Sequence, residues 1–117
     1  MATRKLTTLK KNKEFGYVYR RGAAVRKRHF TMIYVKSRYG GVRVGFQTSK
    51  KVGGSVARNR ARRRIKEACR EIFAGIDGNY SIVFVIKQSM VNAGFAEITG
   101  DVSAALKKAL TAGKSRT

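Results

Sequence analysis

The sequence predicts an α/β (α+β) two-layer sandwich, and three observations lead there. The chain has 117 residues, 43% of them apolar, which suits one domain with a single core and excludes compositional disorder. Segments that alternate at the period of a strand lie between segments with helical spacing. A nearly continuous apolar run, Ile82-Val83-Phe84-Val85-Ile86, reads as a central strand buried on both faces.

The elements follow in order. Residues 1–10 lack apolar periodicity and read as a basic N-terminal arm. Asn12 is a helix cap, Phe15, Val18 and Tyr19 follow at helical spacing, and Gly22 is the stop. Residues 23–37 turn extended, with Phe30, Met32 and Tyr34 alternating with Thr31, Ile33 and Val35. Tyr39-Gly40-Gly41 is a turn into a second strand, where Val42, Val44 and Phe46 alternate with Arg43, Gly45 and Gln47. These two strands are expected to form an antiparallel hairpin. Gly53-Gly54 breaks the chain, and Ser55 caps a long helix ending near Phe73. A glycine-containing loop at 75–79 leads into the buried strand, and 94–100 reads as irregular or a short helical turn. Asp101 is expected to cap a last helix with Val102, Ala105, Leu106, Ala109 and Leu110 on one face. Residues 1–113 are therefore one domain and 114–117 a polar tail.

Charge narrows the function. Twenty-seven Lys and Arg against six Asp and Glu give a formal +21. Residues 1–70 carry nearly all of it, because only Glu14 and Glu67 oppose the basic residues there. Such asymmetry implies a polyanionic partner, and without a long amphipathic stretch that partner is nucleic acid rather than a membrane surface. No run approaches the ~18 apolar residues of a membrane span, and residues 1–14 hold no apolar signal core, so a cytoplasmic location is expected. The single cysteine, Cys69, excludes a disulfide framework or a multi-thiolate zinc site.

On a helical wheel, residues 57–72 separate into three stripes. Ala57, Ala61, Ile65, Ala68 and Ile72 form the core face. Arg60, Arg64, Glu67 and Glu71 form a second arc in which each acid has a basic neighbour three or four residues away. Arg58, Asn59, Arg62, Arg63, Lys66 and Arg70 form the third, which no acid interrupts. Like charges at that spacing destabilise an isolated helix, so the stripe calls for a polyanion. Arginine also favours bidentate grip on phosphate over a diffuse cationic cloud. Lys50 and Lys51 flank the helix start, where Gly53, Gly54 and Ser55 leave backbone amides free for an anion.

The segment Ser49-Lys50-Lys51-Val52-Gly53, followed by Val56-Ala57-Arg58-Asn59-Arg60-Ala61-Arg62-Arg63-Arg64-Ile65-Lys66-Glu67, resembles the family of bacterial ribonuclease P protein subunits. Leu9-Lys10-Lys11-Asn12-Lys13-Glu14-Phe15, Val18-Tyr19-Arg20-Arg21-Gly22, Arg28-His29-Phe30 and Arg43-Val44-Gly45 stand in register with it, as does the strand at 80–86. The resemblance implies the order α-β-β-β-α-β-α, a ribosomal-protein-like fold, and a left-handed crossover through the Arg-Asn-Arg helix, against the general right-handed rule. Two loops depart from the family pattern, at Gly54-Ser55 and at Gln88-Ser89-Met90.

The resemblance also implies a role: a protein cofactor of an endonuclease that matures the 5′ end of tRNA. Its implied partners are the catalytic RNA of ribonuclease P, which uses the Mg²⁺ ions, and precursor tRNA, with neither DNA nor a membrane. Lys50, Lys51, Arg58, Asn59, Arg60, Arg62, Arg63, Lys66 and Arg70 would contact the catalytic RNA. Phe15 and Tyr19, with Thr31 and Ile33 on the neighbouring sheet face, would line a cleft for the single-stranded leader. Ile33 replaces an aromatic residue common in the family.

The residues themselves offer no catalytic constellation. A protein nuclease needs carboxylates for metal ions or a histidine acid/base pair. The one histidine, His29, stands beside a strand, and Glu67 and Glu71 share a stripe with arginines. Asp77 sits in a glycine loop, Asp101 at a helix cap, and Cys69 beside the core stripe as a small buried hydrophobe. No catalytic residue, metal ligand or protein-bound cofactor is therefore expected. The rival reading is a structural RNA-binding protein of ribosomal type without a processing role.

Overall fold

The computed structural model describes residues 7–8, 12–36, 42–48, 53–73 and 80–114. Its elements are β1 (Thr7–Thr8), α1 (Asn12–Arg21), β2 (Ala23–Arg26), β3 (Phe30–Lys36), β4 (Val42–Thr48), α2 (Ser55–Phe73), β5 (Tyr80–Ile86), a 3₁₀ turn at Gln88–Asn92 and α3 (Phe95–Lys114). Four strands and a two-residue bridge, β1, form one sheet in the order β1-β4-β5-β3-β2. The expected α-β-β-β-α-β-α succession is present, with β1 added inside the basic arm, parallel to Arg43 and Val44.

The expected hairpin between β3 and β4 is absent. β5 lies between them, antiparallel to β3 and parallel to β4. The reason is the composition of β5: a strand apolar on both faces gains most where both edges are paired and both faces covered. There Val83 and Phe84 bury fully on opposite faces. The hairpin is instead β2–β3, closed by a 2.8 Å bond from Lys27 N–H to the Phe30 carbonyl. The glycine turn at 39–41 lies outside the described residues.

The principal core fills the face that carries Val25, Met32, Phe84 and Phe46 in one cross-strand row. Phe30 meets Phe84 edge-on at 5.3 Å, and Phe46 stacks on it at 5.8 Å. α2 presses Ala61, Ile65, Ala68 and Cys69 onto this layer, and α3 adds Ile98, Val102, Ala105, Leu106 and Ala109. Burial pushes the Cys69 thiol pKa up, so it is an inert packing residue.

α3 begins a turn and a half earlier than expected, so Asp101 lies inside it and caps nothing. Ile98, fully buried, extends the apolar face one turn ahead of Val102. That burial outweighs the low helix propensity of Gly100, about 1 kcal/mol below alanine. The 3₁₀ turn ahead of α3 buries Met90.

Among the described residues, the opposite sheet face is covered by α1. Val18 and Val83 are fully buried there, with Phe15, Ile33, Val35 and Val85 packed around them. α1 ends where Gly22 N–H bonds the Val18 carbonyl at 2.7 Å. A Cβ at Gly22 would stand 2.4 Å from that carbonyl and 2.6 Å from Ile33 Cγ2. Glycine is thus required by close approach of α1 to β3.

Candidate nucleic-acid interface

α2 follows Gly53, whose φ of +120° is open to glycine and costly for other residues. Arg58 Nε donates to the Gly53 carbonyl at 2.8 Å, tying the first stripe residue to the helix entry. Arg58, Asn59, Arg60, Arg62, Arg63 and Arg70 are exposed and Lys66 is half-buried. The core stripe faces the sheet as the wheel predicts, and the basic stripe faces outward. Lys50 and Lys51 lie outside the described residues.

One of the two acids on the second arc, Glu67, takes a partner outside that arc. Glu67 accepts from Arg70, on the third stripe, at 3.2 Å, rather than from Arg60 or Arg64. Arg64 is diverted: its guanidinium donates to the Ala93 carbonyl, the last turn before α3. Arg62 reaches Thr48 Oγ1 at 3.4 Å. Arg60, Arg63 and Lys66 have no ion-pair partner among the described residues.

α1 and the sheet form a second recess. A groove of about 380 Å³ is lined by Phe15, Gly16, Tyr19, Phe46 and Gln47. Tyr19 is 41% exposed, and its hydroxyl donates to Gln47 Oε1. Partial burial raises its pKa, so it stays a neutral donor. Phe15 both lines the groove and packs on the small cluster beneath α1.

Thr31 and Ile33 share the α1-facing sheet surface, opposite Val85 and Val83. Ile33 packs beneath α1 and does not line the groove. Thr31 lies in one cross-strand row with Val85 and Gln47, two strand spacings or about 10 Å from Gln47. Of the groove residues the sequence reading omits, Gly16, Phe46 and Gln47, it is Gln47 that bonds Tyr19. The signal for Gln47 was the alternation in β4, which sets it on the face opposite Val44 and Phe46.

The remaining titratable groups hold the frame. His29 is buried, its Nε2–H donates to Glu97, and its Nδ1 lies 2.7 Å from Ser89 Oγ. Glu14 accepts from Arg43 at 3.3 Å, joining α1 to β4. Among the described residues no three His, Cys, Asp or Glu side chains gather. No helix among them is long and apolar enough to cross a membrane.

Fold and surfaces define a class: a basic α+β protein that presents an exposed, arginine-rich helix face. A family model described as Ribonuclease P matches residues 3–110. The ribonuclease P protein component of Pelotomaculum thermopropionicum is 38% identical over 104 residues, 89% of this chain and 93% of that protein. That of Caldanaerobacter subterraneus subsp. tengcongensis is 36% identical, covering 89% and 90%. The solved RNase P protein of Staphylococcus aureus superposes with a TM-score of 0.78 at 27% identity, over 90% of this chain and 96% of that one. The Thermotoga maritima protein, at 19% identity and a TM-score of 0.76 over 90% and 97%, shares the fold. The chain belongs to the ribonuclease P protein family.

Proposed function

We propose that this chain is the protein cofactor of ribonuclease P: it binds the catalytic RNA through α2 and the 5′ leader of precursor tRNA through the α1 groove. The carrying observation is the cation set on α2, Arg60, Arg63 and Lys66, which has no ion-pair partner among the described residues, beside the exposed Arg58 and Arg62. Guanidinium groups ranged along one helix face suit RNA phosphates in charge and in their paired N–H donors. The aromatic groove suits a base from an unpaired strand, since every base offers a ring face.

Hydrolysis is assigned to the RNA and its Mg²⁺ ions. Three carboxylates of the chain are each engaged by a side-chain partner, Glu14 with Arg43, Glu67 with Arg70 and Glu97 with His29, which supports that assignment. What the chain's own side chains do is bind, orient and neutralise. The site of action is the cytoplasm, where precursor tRNA is processed.

The test is reconstitution. The protein, mixed with a bacterial ribonuclease P RNA at low Mg²⁺, should restore cleavage of precursor tRNA at the 5′ maturation site. The protein freed of RNA should leave precursor tRNA intact with any divalent ion. Tight binding to that RNA with no gain in cleavage favours the structural RNA-binding alternative.

A further inference from the structure

We propose that the groove between α2 and the start of α3 is a pocket for a single unpaired nucleotide of the RNA that α2 binds, its base stacked on Phe95 and its phosphate held by Arg60 and Arg63. This deepens the reading of α2 as an RNA-binding helix and rests on it. The groove has a volume of about 800 Å³ and is lined by Val56, Asn59, Arg60, Arg63, Arg64, Glu67 and Phe95.

The four large apolar side chains that stay exposed among the described residues fall in two places. Tyr17 and Tyr19 are on α1, while Val56, 82% exposed, and Phe95, 46% exposed, both line this groove. An apolar floor flanked by cations is the composition that a nucleotide requires: a ring face for the base and fixed charge for the phosphate. An apolar protein segment would cover Val56 and Phe95 but leave the guanidinium groups of Arg60 and Arg63 without a counter-charge.

The arginines differ in what they are free to do. Arg64 is spent on the Ala93 carbonyl and thereby fixes the turn that carries Phe95 against α2. Arg60 and Arg63 are exposed and unpaired, available to phosphate. Glu67 stays beside Arg70 at 3.2 Å, and its carboxylate with the Asn59 amide offers acceptors to amino groups on a base edge. Phe95 is held from the other side as well, since Glu97, two residues on, binds His29. The chain that carries Phe95 is thus tied on both sides, so little backbone freedom is lost when a base arrives.

The test measures binding of the full-length protein to a bacterial ribonuclease P RNA across a salt series. Phe95→Ala should weaken binding about 5- to 150-fold, the range for one stacked base. The slope against salt should not change, because the ring contacts no phosphate. Phe95→Tyr should keep wild-type affinity, and Phe95→Leu should lose most of what Phe95→Ala loses. Arg60→Ala with Arg63→Ala should weaken binding and flatten the slope. Thermal melts of each variant should match the wild type, as Phe95 is half exposed at a helix end. Wild-type affinity for Phe95→Ala, or full rescue by Phe95→Leu, overturns the stacking pocket alone. Failure of the wild-type protein to bind the RNA overturns the pocket and the reading beneath it.

Discussion

His29 and Glu97, sixty-eight residues apart, meet in a hydrogen bond that ties the β2–β3 turn to the first turn of α3. The imidazole is buried and its other nitrogen is engaged by Ser89, whose hydroxyl lies 3.3 Å from the Arg28 carbonyl. Lys87 N–H bonds the His29 carbonyl at 2.9 Å, and Lys87 Nζ bonds the Lys27 carbonyl at 2.8 Å. The end of β5, the β2–β3 turn and α3 are thus clamped at one point.

This clamp has an acid limit. The bond from His29 holds the Glu97 carboxyl below its ordinary pKa, with the charges of His29 and Arg28 assisting. A carboxyl depressed in the folded state stabilises fully above its unfolded pKa, about 4.3. The contribution is lost as pH falls through the lower, folded value. Wild-type Tm should therefore drop more steeply below about pH 4.3 than that of Glu97→Gln. Parallel pH profiles for the two proteins would contradict this.

Gly22 limits stability by sterics. Any Cβ there meets the Val18 carbonyl and Ile33 Cγ2 at once. Gly22→Ala should cost about 1–3 kcal/mol, the usual range for forced overpacking, and Gly22→Val more. Gly16, with nothing within 4 Å of its Cβ position, is the control. Gly16→Ala should be neutral or stabilising by up to about 1 kcal/mol, as expected inside a helix. Urea denaturation of the three variants measures both.

The helix α2 was legible because its signals are local. The 3.6-residue period alone places Ala61, Ile65 and Ala68 in the core, and all three are fully buried. The pairing of β3 with β5 was not legible, since it is settled by which strand gains most from a central position, not by the turn at 39–41. The early start of α3 was hidden for a related reason: Gly94 and Gly100 read as breakers, and only contact with the core reveals Ile98 as its first anchor. The Arg64–Ala93 bond is likewise tertiary, so the wheel set Arg64 beside Glu67, which the fold gives to Arg70.

The basic face should behave as a set of phosphate contacts. Replacing Arg62, Arg63 and Lys66 by alanine removes exposed or half-exposed cations and no core side chain. Binding to the catalytic RNA should weaken, and its dependence on salt should flatten by roughly one counterion per lost contact. Tm should hold or rise, because the stripe is self-repelling in the free protein. An unchanged salt slope, measured by filter binding, would remove α2 from the RNA contact.

The α1 groove makes the sharpest distinction between substrate and scaffold. Phe15 and Tyr19 should touch only the leader, which mature tRNA lacks. If each stacks one base, Phe15→Ala with Tyr19→Ala should cost the assembled enzyme ~2–4 kcal/mol of precursor affinity, with the two effects not strictly additive. Affinity for mature tRNA should barely move, and binding to the catalytic RNA should survive because α2 lies against the other face of the sheet. Phe15 also packs on Val18 and Val83, so part of its effect is on the fold. Tyr19→Phe separates the two: it keeps the ring, deletes the bond to Gln47, and should retain most precursor affinity. Tyr19→Ala alone, at an exposed site, should lose precursor affinity with an unchanged melt. Equal losses for precursor and mature tRNA in a folded Tyr19→Ala enzyme would defeat the assignment of this groove to the leader.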